Sequence, residues 1–494
     1  MTNGTMIQFF HWYYPADCSL WNHTKENAQK LADLGINAAW LPPAYKGKGG
    51  KDTNGYDIYD LYDLGEFDQK GSIPTKFGTR EEYLKAIQSL HTHHIQVYAD
   101  IVLNHKGGAD ETEKVTVRRV NPENRNEFTS EPFEIEAYTK FTFPGRGGKY
   151  SKFIWNFSCF SGVDYASDLK EDGIFSIQNE YGDDWQDIID TEKGNYDYLM
   201  FADIDFRNPA VRKELNRWGE WYVKTAHLDG VRLDAIKHMP AQFYNEWLAH
   251  LRTSKPDLFA VGEYWAPGDL PLLLKYIDAT QGKMCLFDAP LHQNFNTAST
   301  KGKEYNLATI LDNSLVHEKP ELAVTLVDNQ DTQPLQALEA PIEKWFKPLA
   351  YALILLRQGG YPCVFYPDLF GAHYVDKGND GKDHEIFLDK CEDLEKLLLA
   401  RKMYAYGQQR DYFDHANCIG WTREGEKDQP KSGCAVLLSN SEEGFKNMEI
   451  GTSHAGKTFV DYLGKHPAKV VINDKGWGEF HVSAGSVSVW IGEK

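Results

Sequence analysis

One rhythm constrains the first four-fifths of this 494-residue chain: a short apolar run, a helix-like stretch, then another apolar run. The runs are Ile7 to Phe10, Ile36 to Leu41 (stopped by Pro42-Pro43), Val97 to Leu103 and Gly230 to Asp234. They continue with Phe259 to Glu263, Met284 to Asp288, Ala323 to Val327 and Pro362 to Tyr366. Between the first of them lie amphipathic patterns, with Ala28, Leu31 and Leu34 on one face, then Leu84, Ile87 and Leu90. Strands separated by helices indicate β–α units and a parallel sheet. Eight such units close into a barrel with its active-site loops at the strand C-termini. The predicted class is α/β, a (β/α)8 TIM barrel.

The third unit is interrupted. From Asn104 to about Phe206 the chain is rich in Tyr, Gly, Asp and Lys and loses the β–α rhythm. A hundred-residue loop inside a compact domain is not expected, so this stretch reads as an inserted, β-rich domain after strand 3. Past Ala400, "HANCIGWTREG", "SGCAVLLSN", "KTFVDYLG" and "GEFHVSAGSVSVWIG" alternate apolar and polar residues between turn signals. That pattern predicts a C-terminal antiparallel β-sandwich. The expected division is 1–103 and 207–400 for the barrel, 104–206 for the insertion and 401–494 for the C-terminal β domain.

Three of the runs end in acids. In Gly230-Val231-Arg232-Leu233-Asp234, residues two apart face one side of a strand, so Arg232 and Asp234 project together. A neighbouring cation keeps a carboxylate ionised, as a nucleophile at a sugar carbon requires. A structural Arg–Asp pair would read the same, but two further acids favour chemistry. Glu263 ends an apolar run and is followed by Tyr264 and Trp265, which predicts desolvation and a raised pKa suited to a general acid. Asp331 closes Val327-Asp328-Asn329-Gln330-Asp331 in the same manner.

The segments "DIVLNH", "GVRLDAIKH", "GEYW" and "VDNQD", in that order and rough spacing, resemble the sequence blocks of the alpha-amylase family of glycoside hydrolases. "AAWLPPAYKG", "YDLYDLGEF", "GNYDYLMFADIDF" and "GWGEFHVSAGSVSVWIG" extend the likeness over essentially the whole chain, towards the liquefying-type bacterial enzymes. The resemblance implies retaining, endo-acting hydrolysis of alpha-1,4-glucosidic bonds in starch, glycogen or maltooligosaccharides. In it Asp234 is the nucleophile, Glu263 the acid/base and Asp331 the transition-state stabiliser. Arg232 positions Asp234. His105 donates to the reacting sugar, Tyr56 stacks beneath it, and Lys237, His238 and Trp265 line the leaving-group side.

The likeness also implies a calcium ion held by Asn104, Asp197, Asp203 and the His238 carbonyl. A second, less complete cation site is implied around Asp164 and Asp205, where Gln186 stands in place of the Asp of the liquefying type. The sharpest departure is Gln330, where the family has His; Gln can donate and accept hydrogen bonds but cannot become cationic. The same motifs admit a maltooligosaccharide-forming exo-type enzyme, a transglycosylase or a non-catalytic glucan-binding protein.

A net charge of −19 argues against nucleic-acid partners and implies solubility, leaving a neutral polysaccharide as a compatible partner. Cys18, Cys159, Cys285, Cys363, Cys391, Cys418 and Cys434 show no CxxC spacing, and Cys159, Cys285 and Cys363 sit in apolar runs and read as buried. An odd, unpatterned count fits a reducing compartment. The N-terminus shows no basic-then-apolar leader pattern, and the longest apolar run, Leu349 to Leu356, is far short of the roughly 20 residues of a membrane span. The expectation is a cytoplasmic, monomeric protein without a membrane partner.

Overall fold

The computed structural model describes residues 3–493. Eight parallel strands close into a barrel: β1 (Met6–Gln8), β2 (Ala38–Leu41), β3 (Gln96–Ile101), β4 (Gly230–Leu233), β5 (Phe259–Gly262), β6 (Cys285–Phe287), β7 (Ala323–Leu326) and β8 (Tyr361–Phe365). Closure is made by β1, which pairs with both β2 and β8. Seven of the strands are one or two residues shorter than their apolar runs, and β8 equals its run in length. The missing residues are mostly at the C-terminal ends, where Asp234, Glu263, Asp288 and Val327 leave the ladder and begin the loops.

Helices cover the barrel from outside, including Leu20–Asp33, Arg80–Thr92, Pro209–Ala226 and Lys347–Leu356. The second starts in a full capping box: Thr79 accepts from the Glu82 amide, and Glu82 reaches back to the Thr79 amide. Helix Lys347–Leu356 is buried from Pro348 onward, and its last carbonyl, of Leu356, accepts from the Trp421 indole in the C-terminal β region.

The interruption after β3 is a six-stranded antiparallel sheet, ordered His105–Lys106, Ala202–Ile204, Phe160–Ala166, Glu171–Ile177, Glu111–Arg119, Phe133–Lys140. Its first and last strands are neighbours, with His105 opposite Asp203. That pairing closes the excursion and returns the chain to the barrel beside the end of β3.

The C-terminal region is all β. A six-stranded sheet runs from Gln409 to Gly492, and a ribbon of Gly444–Glu449 with Trp477–Val482 packs on it through Met448, Phe480, Leu437, Phe459 and Trp490.

Two features depart from the sequence reading. A solvent-exposed hairpin, Ala372–Lys377 with Asp383–Leu388, rises after β8; its polar, weakly alternating strands gave no strand signal. Cys159 and Cys363 are buried as expected, but Cys285 is half-buried because it begins β6 at the open rim near the Glu321 carbonyl. All seven cysteines are free. Among the described residues no helix is long and apolar enough to cross a membrane.

Candidate active site

The site is organised by one buried cation. Arg232 lies on β4 opposite Asp100 on β3 and opposite Val261 on β5. Its Nη1 donates to Asp100 Oδ1 at 2.8 Å and to Asp234 Oδ1 at 2.7 Å, and its Nη2 donates to Glu263 Oε2. Its plane lies over Trp40, 4.9 Å from the ring centroid. An arginine fork can hold three carboxyls at fixed angles because its donors are coplanar and permanently charged.

Each acid reaches the fork from a strand end. Asp234 directly follows β4, and its amide still donates to the Ile101 carbonyl at 2.9 Å. Ala235 then takes a left-handed conformation (φ 50°) and opens the tight turn Ile236–His238. Glu263 directly follows β5, with its amide on the Leu233 carbonyl at 2.9 Å. Gly262 permits this approach, since a Cβ there would lie 2.4 Å from Ile236 Cδ1. Asp331 lies five residues past β7, its amide and that of Thr332 held by Asn329 Oδ1 at 2.8 and 2.9 Å.

Three of these acids are shifted. Burial pushes Glu263 well above the ordinary carboxylate range, against the pull of Arg232; Asp331 and Asp234 add repulsion. Burial lifts Asp331 to about 7 and Asp100 to about 6, with Arg232 opposing in both cases. One guanidinium cannot neutralise four carboxyls, so at least one proton stays within the group near neutrality. Glu263 is the acid with the strongest upward push. Its Oε2 takes the Arg232 bond, which leaves Oε1 for the proton.

Around this core the structure gathers most of the other predicted contacts. Tyr56 donates its hydroxyl to Asp100 Oδ2 at 2.8 Å and stacks on Trp12, with centroids 5.6 Å apart and planes 10° apart. His105 is buried and donates Nε2–H to the Tyr56 carbonyl at 2.8 Å, so the ring orients Tyr56, while its Nδ1 accepts from Asn104 Nδ2 at 3.4 Å. Gln330 is wholly buried: its Oε1 accepts from Gln8 Nε2 at 2.7 Å and its Nε2 donates to Asp331 Oδ2 at 2.6 Å. Trp265 packs its ring against His292.

Lys237 and His238 are engaged by the inserted region. Lys237 Nζ meets Glu192 at 2.6 Å and Asp190 at 3.5 Å. His238 Nδ1 donates to the Tyr196 carbonyl at 2.6 Å, and burial lowers its pKa to about 4, so it is neutral.

A second acidic group lies where the inserted sheet closes. Asp197 and Asp203 are both buried. Asp203 accepts from Ser161 and, at 3.4 Å, from Asn104 Nδ2. Asp197 accepts from the Gln186 amide nitrogen at 3.0 Å and from its side chain at 3.3 Å. Burial lifts Asp197 to about 7 and Asp203 well above the carboxylate range, the latter also through repulsion by Asp197. Neither takes a hydrogen bond from Lys or Arg; Arg125, whose charge acts on Asp203, spends its Nη1 on the Tyr198 carbonyl. Asn104 Oδ1 is buried without a partner. Among the described residues no three His, Cys, Asp or Glu side chains form a metal cluster. Two carboxylates and an amide oxygen are nonetheless hard donors of the kind calcium takes together with carbonyls and water.

The other two predicted ligands differ. Asp164 accepts only the Phe201 amide, at 2.9 Å. Both oxygens of Asp205 are taken by Arg207. Sequence reasoning missed Asp100, Gln8, Trp12 and Arg207. For Asp100 a signal existed: an acid inside an otherwise apolar barrel strand must face a cation.

A family model described as "Alpha amylase, catalytic domain" matches residues 24–424, and one described as "Alpha-amylase C-terminal" matches residues 434–491. The chain is 51% identical over 496 residues to a cytoplasmic alpha-amylase of Escherichia coli, covering all of both chains. It is also 51% identical to an alpha-amylase of Geobacillus stearothermophilus, covering all of this chain and 87% of the relative. The solved alpha-amylase of Geobacillus thermoleovorans shares the fold with a TM-score of 0.64 at 18% identity, over 100% of this chain and 98% of that one.

Proposed function

The chain belongs to the alpha-amylase family of glycoside hydrolases, enzymes that hydrolyse alpha-glucans, and on that premise we propose an endo-acting, retaining cleavage of alpha-1,4-glucosidic bonds. The observation that carries this reading is the shared guanidinium: one Arg232 holds Asp234 and Glu263 on its two terminal nitrogens. That sharing favours the short carboxyl separation, about 5–5.5 Å, of a retaining pair.

In the first step Asp234 attacks the anomeric carbon of the bound glucose unit while Glu263 protonates the glycosidic oxygen. The C–O bond breaks towards Glu263 and a glycosyl ester forms on Asp234. In the second step Glu263, now ionised, takes a proton from water, and the water oxygen displaces Asp234. The raised pKa of Glu263 keeps the acid loaded for the first step. Arg232 stays charged throughout and stabilises whichever carboxylate is ionised. Asp331, aligned by Gln330, accepts from sugar hydroxyls and strengthens those bonds as the ring flattens. Tyr56, backed by Trp12, gives the sugar an apolar face.

Asn104, Asp197 and Asp203, with the His238 carbonyl, would hold a calcium ion. Its chemistry there is structural, neutralising buried acids where the inserted sheet meets the barrel. The name of the Escherichia coli relative favours a cytoplasmic setting for this protein too.

The test is digestion of soluble starch with proton NMR of the first-formed reducing ends and sizing of products over time. Early mid-length chains with alpha ends are expected. Beta ends would overturn retention, and a single short product from the outset would replace endo action with exo action.

A further inference from the structure

We propose that Arg207 is a built-in cation that takes the place of a second metal ion, so that this protein binds a single calcium. The inference rests on the calcium reading of Asn104, Asp197 and Asp203 given above.

Four acids lie where the inserted sheet closes: Asp164, Asp197, Asp203 and Asp205. They divide into two kinds by their partners. Asp205 has a fully buried side chain and is bound by a guanidinium in side-on, two-point fashion. Arg207 Nε donates to Oδ1 and Nη2 to Oδ2, both at 2.9 Å, and the Arg207 amide adds a third bond to Oδ1 at 2.9 Å. The remaining nitrogen, Nη1, reaches Asp184 at 3.0 Å. Such a paired fork matches carboxylate geometry and satisfies both oxygens at once.

The guanidinium has a seat made for it. At Gly182, in the turn facing Asn179, a Cβ would lie 2.1 Å from Arg207 Nη1 and 2.5 Å from its Cζ. A side chain there would meet the guanidinium, so either the fork or the turn would have to move. The adjoining space is filled by Gln186, which is buried and fully engaged. Its Nε2 reaches both Asp197 oxygens and the Ile204 carbonyl, and its Oε1 accepts from the Phe206 amide at 2.7 Å. Gln186 therefore occupies with neutral hydrogen bonds, and Arg207 with a tethered charge, the ground a second cation would need.

Only the other side of the group calls for an ion. There Asn104 Oδ1 is buried and unpartnered, beside Asp203, and neither Asp203 nor Asp197 has a Lys or Arg hydrogen bond. The two sides are linked through the backbone, since Ile204, between Asp203 and Asp205, donates its amide to the Asn104 carbonyl at 2.9 Å.

The test is calcium stoichiometry, by elemental analysis of dialysed protein and by calorimetric titration of the metal-stripped chain. The wild type is expected to hold one calcium. Arg207→Gln removes the charge and keeps a hydrogen-bonding group, and it is expected to gain a second calcium at millimolar concentration. Arg207→Lys keeps a charge and is expected to stay at one. Two calcium ions in the wild type, or no gain in Arg207→Gln, would overturn the role of Arg207. No calcium at all in the wild type would overturn the underlying calcium reading as well. If Arg207→Gln does not fold, the wild-type stoichiometry alone decides between one and two.

Discussion

Two groups of buried acids meet near the mouth of this barrel, and they are stabilised differently. At the ends of β4 and β5, Asp100, Asp234 and Glu263 converge on Arg232, which the chain itself supplies. Where the inserted sheet closes, Asp197 and Asp203 have only Ser161, Gln186 and Asn104 as side-chain hydrogen-bond partners. Burying a carboxylate without a counter-charge is costly, and the usual escape is protonation. In the proposed mechanism the first group uses that escape as chemistry, a proton retained on Glu263 serving as the general acid. The second takes no part in that mechanism, and on the proposed calcium reading a bound cation would neutralise it. Arg207 on Asp205 lies between the two cases, a chain-supplied cation beside the acids proposed to hold calcium.

The difference breaks most sharply at Asp234. Asp234→Asn keeps the shape and a bond to Arg232 but removes the nucleophile, and kcat should fall roughly 10⁴-fold or more. Steady-state kinetics on a maltooligosaccharide checks this; a loss under tenfold would take Asp234 out of the reaction.

Glu263→Gln should cost about 10²–10⁴-fold, the usual worth of a general acid. It should also change the pH dependence in a stated direction. The folded pKa of Glu263 lies well above its unfolded value, so the native state binds the extra proton. Stability contributed by that proton is present at low pH and is lost as pH rises through the folded pKa. Activity needing a protonated acid falls over the same alkaline range. The Gln variant should lose the alkaline limb of kcat/KM attributable to this residue, and its melting temperature should decline less on the alkaline side. Melting curves and rates across pH measure both; an unchanged alkaline limb would assign the acid elsewhere.

Calcium removal should act on the second group and spare the first. A ligand at 100 times its Kd stabilises by about 2.7 kcal/mol, so chelation should lower the melting temperature by several degrees. Asp203→Ala should abolish that sensitivity, and Asp234→Asn should leave it intact. A melting curve indifferent to chelator would remove the contrast between the groups.

The smallest effect is expected at Gln330→His. A neutral His can accept from Gln8 through one nitrogen and donate to Asp331 through the other, reproducing the present bonds. A charged His loses the acceptor and needs Gln8 to turn its amide; Gln8 Oε1 is unpartnered and available for that. Turnover should rise by less than about tenfold, with a new inflection in the pH profile near the His range. A drop in turnover with an unchanged profile would show that Gln330 is not a tuning position.

The barrel was legible because strand and helix periods differ and because strand ends carry the acids. Arg232 and Asp234 could be paired from spacing alone, two residues apart at the end of one apolar run. Asp100 could not, since its pairing with Arg232 depends on register between β3 and β4, which no local pattern states. Gln8 and Gln330 are 322 positions apart and meet only because β1 and β7 both flank β8 in the closed barrel. Arg207 was hidden for another reason. An Arg two residues after an Asp in a loop looks like solvated surface until the missing side chain of Gly182 is placed beneath it.

The most direct test of the account is to trap the glycosyl-enzyme. An activated fluorinated maltosyl donor, slow in its second step, should label the protein once, and peptide mass mapping should place the sugar on the peptide containing Asp234. Label on Glu263 or Asp331, or beta-configured product without any covalent label, would contradict the assignment of nucleophile and acid around Arg232.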